Sequence, residues 1–429
     1  MNTFYDPARE EWPELLKRPT QTIGDIEAMV KEIFKEVQSK GDRAIAKYTS
    51  LFDGVVLKNC VVTEAEIAAA EALVPEELKA AIGLAKDNIE KFHSAQKTAR
   101  VSVTTAEGIE CWQEKRAIQK IGLYIPGGTA PLFSTVLMLA VPAGIAGCSE
   151  VVLCSPPDKQ GNINPAILYT AKLCGVTRIV KVGGIQAIAG MTFGTEQIPQ
   201  VYKIFGPGNQ YVTVAKQLAT QFGVAIDMPA GPSELLVVAD DSARADFVAS
   251  DLLSQAEHGT DSQVILVSTS RDLIEETAKE IAAQIGELPR KKIAEAAIAN
   301  SRLIYLSDKE KALDLINSYG PEHFIICTSD EQFYVEGIIN AGSVFIGNYT
   351  PESAGDYASG TNHTLPTNGY ARNYSGVNLD SFTKSVTFQK ITAEGIRRIG
   401  NAIEIMAEAE GLQAHKNAVT LRLKSLDNN

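Results

Sequence analysis

The chain has 429 residues with 40 Lys+Arg against 52 Asp+Glu, which gives a formal net charge of −12. At roughly 150 residues per domain this length suggests two to three domains, and 45% hydrophobic with 21% charged residues excludes wholesale disorder. The acidic balance argues against nucleic acid or an anionic membrane as the main partner, because both require a basic face.

The N-terminal segment MNTFYDPAREEWPELL is acidic and lacks the basic start and apolar core of a secretory signal. No apolar run approaches the ~18–20 residues of a membrane span. The six cysteines are scattered without a C-x-x-C pair, which is typical of reduced thiols. We therefore expect a cytoplasmic protein.

Apolar residues at helical spacing predict a helix from Thr22 to Gly41 and a second helical stretch from about Glu64 to Gln96. From Ile118 onward short β-branched runs alternate with helical segments. These runs are GLYI, EVVLC, RIVKV, KIF, ELLVVA, QVILVS, LIYL, HFII and SVFI. Such alternation is typical of βαβ units and of parallel sheets covered on both faces.

The last third of the chain contains an irregular segment followed by a helical tail. Between Gly342 and Ser381 the chain is rich in Gly, Asn, Thr and Ser, but its aromatic residues argue against disorder. The pattern from Ile391 to Leu423 is helical again and is broken at Gly411. This tail could pack on another subunit.

The sequence lacks several common motifs of catalytic and cofactor sites: a phosphate loop, H-E-x-x-H, G-x-S-x-G, and a G-x-G-x-x-G after a strand. Glycine clusters do follow predicted strands, at Pro126–Gly128, Gly183-Gly184 and Phe205–Asn209. Ligands of open α/β sheets bind at such strand ends, although each cluster alone is more often a tight turn.

Four short segments carry candidate site residues, and each contains one of the five histidines. Gln255 and His258, three residues apart at a helix end, could chelate a metal, but a histidine there also suits the helix dipole. Glu322-His323 opens a strand and could be an acid/base pair or an exposed polar strand start.

The other two segments lie further along the chain, with Asp356 and His363 in the glycine-rich loop and Glu410 and His415 around Gly411. His93 is interpreted as structural. Together Gln255, His258, Asp356 and His415 would form a nitrogen/oxygen set suited to Zn²⁺, with Mn²⁺ or Co²⁺ as substitutes. Their spacing alone does not establish that they meet.

Several long motifs resemble the histidinol dehydrogenase family over nearly the whole chain. They are GLYIPGGTAPLFSTVLMLAVPAGIAGC, VGGIQAIAGMTFGTE, KIFGPGNQYVT, DMPAGPSELLVVAD, DFVASDLLSQAEHG, YGPEHF, GDYASGTNHTLPT and AEGLQAHKNAV. The resemblance implies a zinc-containing homodimer that oxidises L-histidinol to L-histidine in two NAD-dependent steps, the last stage of histidine biosynthesis.

The fold that this resemblance implies is α/β, with two Rossmann-like (aldehyde-dehydrogenase-like) domains, one inserted in the other. The larger domain would comprise residues 21–123 and 234–377, and the inserted domain, which contacts NAD, residues 124–233. Residues 1–20 and 378–429 would form a terminal arm and a helical tail that intertwine two subunits.

The resemblance also assigns roles to individual residues. Glu322 and His323 would be the catalytic acid/base pair, and one zinc per subunit would be held by Gln255, His258, Asp356 and His415. The substrate would contact these four metal ligands, His323, Ser233, His363 and Glu410, and NAD would contact Tyr124, Gln186 and Asn209. Glu410 and His415 would complete the site of the neighbouring subunit.

Two alternatives remain at this point. One is an enzyme of the same scaffold that acts on another small alcohol, such as a sulfonated diol. The other is a non-catalytic small-molecule-binding protein built from two α/β domains.

Overall fold

The computed structural model describes residues 1–19, 24–127, 131–229 and 231–427 of the chain. Its helices are α1 (Trp12–Leu15), α2 (Gly24–Lys40), α3 (Asp42–Phe52), α4 (Glu64–Leu73), α5 (Glu76–Ser94), α6 (Phe133–Ala146), α7 (Pro165–Leu173), α8 (Gly184–Phe193), α9 (Gln210–Thr220), α10 (Ala245–Ala256), α11 (Arg271–Gln284), α12 (Lys291–Ala299), α13 (Lys309–Tyr319), α14 (Glu331–Gly337), α15 (Glu352–Tyr357), α16 (Ala393–Ala409) and α17 (Gln413–Asp427). Its strands are β1 (Asn2–Tyr5), β2 (Val101–Ala106), β3 (Ile109–Ala117), β4 (Lys120–Tyr124), β5 (Glu150–Ser155), β6 (Arg178–Lys181), β7 (Lys203–Phe205), β8 (Ala225–Ile226), β9 (Glu234–Ala239), β10 (Gln263–Ser268), β11 (Arg302–Tyr305), β12 (His323–Cys327), β13 (Ser343–Ile346) and β14 (Thr383–Ile391).

The chain forms two compact units, and the first (1–96 and 118–382) contains two parallel sheets. Its larger sheet has six strands in the order β1-β11-β10-β9-β12-β13. Alternate residues of β9 belong to two different hydrophobic cores. Leu235 and Val237 lie in the core that contains residues of α10–α12. Leu236 and Val238 lie in the core that contains residues of α1, α13 and α14. The continuous apolar run ELLVVA therefore forms a central strand that is covered on both faces.

The smaller sheet of the first unit has five parallel strands in the order β6-β5-β4-β7-β8. Helices α2, α3, α8 and α9 contribute to the core on one face, and α4, α6 and α7 to the core on the other. This sheet is thus also the middle of three layers.

The second unit comprises residues 97–117 and 383–429. Its three antiparallel strands have the order β14-β3-β2, and Trp112 stacks on Phe388 with 5.1 Å between ring centroids. Helices α16 and α17 pack closely because Gly400 leaves room for Leu423.

The nine predicted strand runs are all confirmed, as β4 to β7 and β9 to β13. The first predicted helix is α2, although its predicted start at Thr22 lies outside the described residues. The single helical stretch from Glu64 to Gln96 is wrong. It is divided into α4 and α5 at Pro75, which has no N–H to continue the helical hydrogen bonds. The tail consists of two helices that are separated around Gly411, as predicted.

Three of the predicted domain assignments need correction. Strand β1 pairs with β11 in the larger sheet, whereas residues 1–20 were expected to form a terminal arm. Helices α2–α5, assigned to the larger domain, pack against the helices of the five-stranded sheet instead. Strands β2 and β3 belong to the second unit. An amphipathic pattern identifies the buried face of an element but not the sheet that covers it. Within the described ranges no helix is both long and apolar enough to cross a bilayer.

Candidate active site

Glu322 and His323 are both held by the main chain of one residue, Glu234. Strands β9 and β12 are parallel neighbours, with His323 opposite Leu235. The Glu234 N–H donates to Oε2 of Glu322 at 2.8 Å, and Nδ1 of His323 lies 3.2 Å from the Glu234 carbonyl oxygen. Because a carbonyl only accepts, Nδ1 carries the proton in this contact, and Nε2 is left as the basic nitrogen.

Three carboxylates surround the buried imidazole of His323. Oε2 of Glu322 and Oε1 of Glu352 lie 3.6 Å and 3.8 Å from Nδ1, and Oδ1 of Asp356 lies 3.7 Å from Nε2. Among the described residues, Nε2 has no hydrogen-bond partner. Asp356 therefore lies beside the free nitrogen, whereas Glu322 and Glu352 lie beside the nitrogen that contacts Glu234.

The electrostatics of this group favour a bound cation. Burial raises the pKa of Glu322 to about 8 and that of Glu352 to about 8, because desolvation disfavours the ionised form. Burial alone would lower the pKa of His323, but Glu352, Glu322 and Asp356 raise it to about 10. Buried carboxylates in excess over cationic groups are costly unless another positive charge compensates them.

A metal ion fits the donor atoms beside His323. One potential ligand atom from each of His258, Glu352 and Asp356 lies within 4.8 Å of the others. Gln255 is fully buried, and neither atom of its side-chain amide has a partner among the described residues. Unsatisfied buried polar atoms are rare in native proteins, so the amide oxygen of Gln255 has the character of a metal ligand. Imidazole, carboxylate and amide oxygen suit zinc or manganese.

Glu352 belongs to this cluster although the sequence analysis did not identify it. Its Oε2 accepts a hydrogen bond from the Ser254 hydroxyl at 3.2 Å, and its Oε1 has no partner among the described residues. Glu352 and Asp356 are four residues apart in α15, which places both carboxylates on one face of the helix. This spacing could have identified Glu352 if the segment had been predicted as helical.

The three predicted NAD contacts line one cavity of about 1150 Å³ at the carboxyl edge of the five-stranded sheet. Tyr124 ends β4, and its hydroxyl accepts the Gly184 N–H at 3.1 Å. Asn209 follows β7 and caps α9, and Gln186 lies in the first turn of α8. Ligands of open parallel sheets bind at this edge, so the cavity is suited to a cofactor.

The predicted glycine clusters do lie at this edge, but Gly128 is outside the described residues. Gly206 has φ +126°, and a Cβ there would lie 2.1 Å from the Tyr124 carbonyl oxygen, so only glycine fits. Lys216 donates to the Gly206 carbonyl at 2.9 Å, and Asp227 accepts the Gly206 N–H at 2.8 Å. The loop before Asn209 is thereby fixed.

A second cavity of about 820 Å³ is lined by Ser233, His258 and Asn209. Asn209 lines both cavities, so the predicted cofactor contacts adjoin the predicted metal and substrate contacts. His258 lines this cavity and is exposed, whereas Glu352 is buried. The arrangement leaves room for a small substrate between the metal cluster and the cofactor cavity.

The remaining histidines of the first unit are held by hydrogen bonds. His363 donates from Nδ1 to the Asp356 carbonyl at 2.9 Å, and its Nε2 lies 3.1 Å from the Thr135 hydroxyl. A substrate contact with Nε2 would replace this hydroxyl. His93 is fully buried, with Nδ1 bonded to the Ile89 carbonyl at 2.9 Å, as expected of a structural residue.

Comparison with known proteins identifies the family. A family model described as histidinol dehydrogenase matches residues 16–423. The chain belongs to the histidinol dehydrogenase family. The histidinol dehydrogenase of Bacteroides thetaiotaomicron is 59% identical over 420 residues, which cover 98% of both chains. That of Escherichia coli K12 is 51% identical over 420 residues, covering 97% of this chain and 96% of the other.

A crystal structure of a histidinol dehydrogenase, from Elizabethkingia anophelis, has the same fold. Its TM-score is 0.97 at 57% identity, and the match covers 100% of this chain and 99% of that one. The family resemblance, the mixed α/β fold and the enzyme class, a dehydrogenase, are therefore confirmed. The alternative of a non-catalytic binding protein is wrong.

The remaining predicted site residues lie in the second unit. They are Glu410 and His415. Glu410 directly follows α16, His415 lies in the first turn of α17, and both are exposed. Their contribution to a site in another subunit stays a prediction.

Proposed function

We propose that the protein oxidises L-histidinol to L-histidine in two successive NAD-dependent steps, using one zinc ion per subunit. The observation that carries this proposal is the placement of Glu322 and His323. They lie beside an anionic, metal-competent cluster, in a chain of the histidinol dehydrogenase family. The cytoplasmic location stays a prediction.

Gln255, His258 and Asp356 would hold the zinc, with His415 contributed by a second copy of the chain. When bound, zinc would anchor the amino and imidazole nitrogens of histidinol and thereby orient its carbinol carbon toward the nicotinamide. Glu352 supplies further negative charge to the same cluster. The cluster is thus suited to a divalent cation and to a cationic amine substrate.

In the first oxidation His323 would take the hydroxyl proton at Nε2. The cavity lined by Tyr124, Gln186 and Asn209 would hold NAD⁺, which when bound would supply the hydride acceptor. The contact of Nδ1 with the Glu234 carbonyl leaves Nε2, which has no partner among the described residues, as the nitrogen that exchanges a proton with the substrate. A bound cation would compensate the carboxylates that raise the pKa of His323, so that Nε2 could accept the proton. The products of this step are histidinal, NADH and a proton. The aldehyde stays bound for the second oxidation.

In the second oxidation Glu322 would remove a proton from water as the water adds to the aldehyde carbon, and this proton would then pass to the former carbonyl oxygen, which completes the gem-diol. Burial raises the pKa of Glu322, so its carboxylate is a stronger base than an exposed one. His323 then accepts a proton from the gem-diol as hydride leaves to a second NAD⁺. Histidine and a second NADH are released.

Recognition of the substrate depends on charge and on hydrogen bonds. Ser233 and His363 would provide polar contacts for histidinol, and Glu410 would come from the second copy. The carboxylates around His323 would repel a sulfonate group, so they favour an imidazolyl amine over a sulfonated diol.

The proposed function is tested by counting NADH. We expect the purified protein to form two NADH for each L-histidinol consumed, and histidine to accumulate in equal amount to the substrate lost. A sulfonated diol is the matched negative substrate. NADH formation from the diol and not from histidinol would assign a different substrate.

The proposed homodimer predicts complementation between two inactive variants. His415→Ala should abolish histidine formation by removing a zinc ligand from the neighbouring site, and Glu322→Gln by removing the base of the second step within its own site. Hybrid dimers should regain activity, because one of the two sites then has an intact set of residues. Hybrids that form, as verified by two affinity tags, but stay inactive would place His415 in the site of its own subunit.

A further inference from the structure

Glu234, whose main chain holds Glu322 and His323, forms a buried ion pair through its side chain. The guanidinium of Arg18 contacts both carboxylate oxygens of Glu234, with Nη2 2.8 Å from Oε2. The side chains of Arg18 and Glu234 are 12% and 1% exposed. A bidentate pair of this kind fixes the orientation of both groups as well as their distance.

Further contacts fix each member of the pair. Arg18 donates to the Tyr319 carbonyl at 2.8 Å, and its guanidinium carbon lies 4.0 Å from the centroid of the Tyr319 ring. Oε1 of Glu234 accepts the Asn368 N–H at 2.6 Å, and the Tyr319 hydroxyl donates to Gln263 at 2.9 Å. The carboxylate of Glu234 thus has a hydrogen bond at each oxygen and a compensating charge.

The side chain of Glu234 and its main chain face two different groups. The side chain is held by Arg18 and Asn368, while its N–H binds Glu322 and its carbonyl binds His323. Fixing a side chain on both oxygens restrains the Cα to which it is attached, and with it the two adjoining peptide planes. Arg18 would therefore add to the sheet pairing of β9 with β10 and β12 in orienting the predicted acid/base pair.

We propose that Arg18 and Glu234 are positioning residues of the active site. The described segment that follows α1 holds Glu234 through Arg18, and Glu234 in turn sets the hydrogen bonds that orient Glu322 and fix the proton of His323 on Nδ1. This inference rests on the proposed roles of Glu322 and His323. A histidine with the wrong tautomer or orientation cannot accept the substrate proton even when substrate and metal bind normally.

The main alternative is that the ion pair only stabilises the fold. Removing Arg18 alone would leave a buried charge on Glu234 and destabilise the protein by either account. The double variant Arg18→Met/Glu234→Gln separates the two accounts, since it removes both charges and nearly conserves volume. Arg9→Met is the matched control, because Arg9 belongs to the same N-terminal segment and pairs with the exposed Asp314.

The experiment measures kcat, both KM values, zinc content and thermal midpoint for these variants. We expect the double variant to fold with one zinc per subunit and unchanged KM values, but to lose kcat by about 10–100-fold, the size of typical outer-shell effects. Arg18→Lys should retain part of the kcat, and Arg9→Met all of it. A double variant with the parental kcat would overturn the proposal.

A crystal structure of the double variant gives a readout that does not depend on the substrate. The distance from Nδ1 of His323 to the carbonyl of residue 234 is 3.2 Å in the parent and should exceed hydrogen-bonding range in the variant. An unchanged imidazole would overturn the positioning role. Failure of the parent protein to oxidise histidinol would instead overturn the proposed function, and the structural comparison would still decide the inference.

Discussion

Replacement of His323 by asparagine is expected to lower kcat for histidinol oxidation by about 10³-fold, within the range that general base catalysis contributes. The asparagine amide can still donate a hydrogen bond toward the Glu234 carbonyl, but its oxygen cannot accept a proton as Nε2 of histidine does. Zinc binding should change little, because His323 does not belong to the predicted set of zinc ligands. The measurement is steady-state NADH formation together with zinc content and both KM values.

Glu322→Gln provides the companion test, because it removes the base of the second step while keeping an acceptor for the Glu234 N–H. We expect this variant to slow histidinal oxidation more than histidinol oxidation, and Glu331→Gln, an exposed carboxylate elsewhere in the same unit, to have no effect. If both His323→Asn and Glu322→Gln lost zinc, the two residues would be reassigned as ligands.

Local patterns predicted the strands well, since the continuous β-branched runs of α/β sheets have few other structural uses. They were less informative about Asn2–Tyr5, a short exposed edge strand with no apolar pattern. They also left undetermined which sheet the helices after Gly24 would cover. That choice depends on how side chains from distant segments fit together, and periodicity contains no information on it.

The candidate site was predicted from histidines, because their chemistry is specific and the chain has few of them. The carboxylates were harder to identify. Glu352 stands in a glycine-rich segment without visible periodicity, and Glu234 begins a run that reads as a buried strand. The importance of both comes from burial next to His323, which only the folded chain reveals.

Replacement of His258 by asparagine is expected to cause the largest loss of zinc. Loss of an outer-shell partner weakens metal affinity by about 10–100-fold, and loss of a direct ligand should exceed this. Zinc content after dialysis against a weak chelator and activity with added zinc are the two measurements. Glu257→Gln is the matched control, because it neutralises the adjacent carboxylate, which is not part of the cluster. Full zinc retention by His258→Asn would remove His258 from the ligand set.

Removal of zinc by a chelator also tests whether a cation compensates the buried carboxylates around His323. Without a cation, the carboxylates of Glu322, Glu352 and Asp356 lie 3.6–3.8 Å from the ring nitrogens of one buried histidine, His323. Chelation should therefore lower the Tm of the parent protein, since zinc stabilises only the folded state. Glu352→Gln removes one of the carboxylate charges that repel each other in the metal-free protein. Chelation should therefore lower the Tm of this variant by less than it lowers the Tm of the parent. An equal drop in Tm for parent and variant would mean that Glu352 contributes no charge to the bound metal.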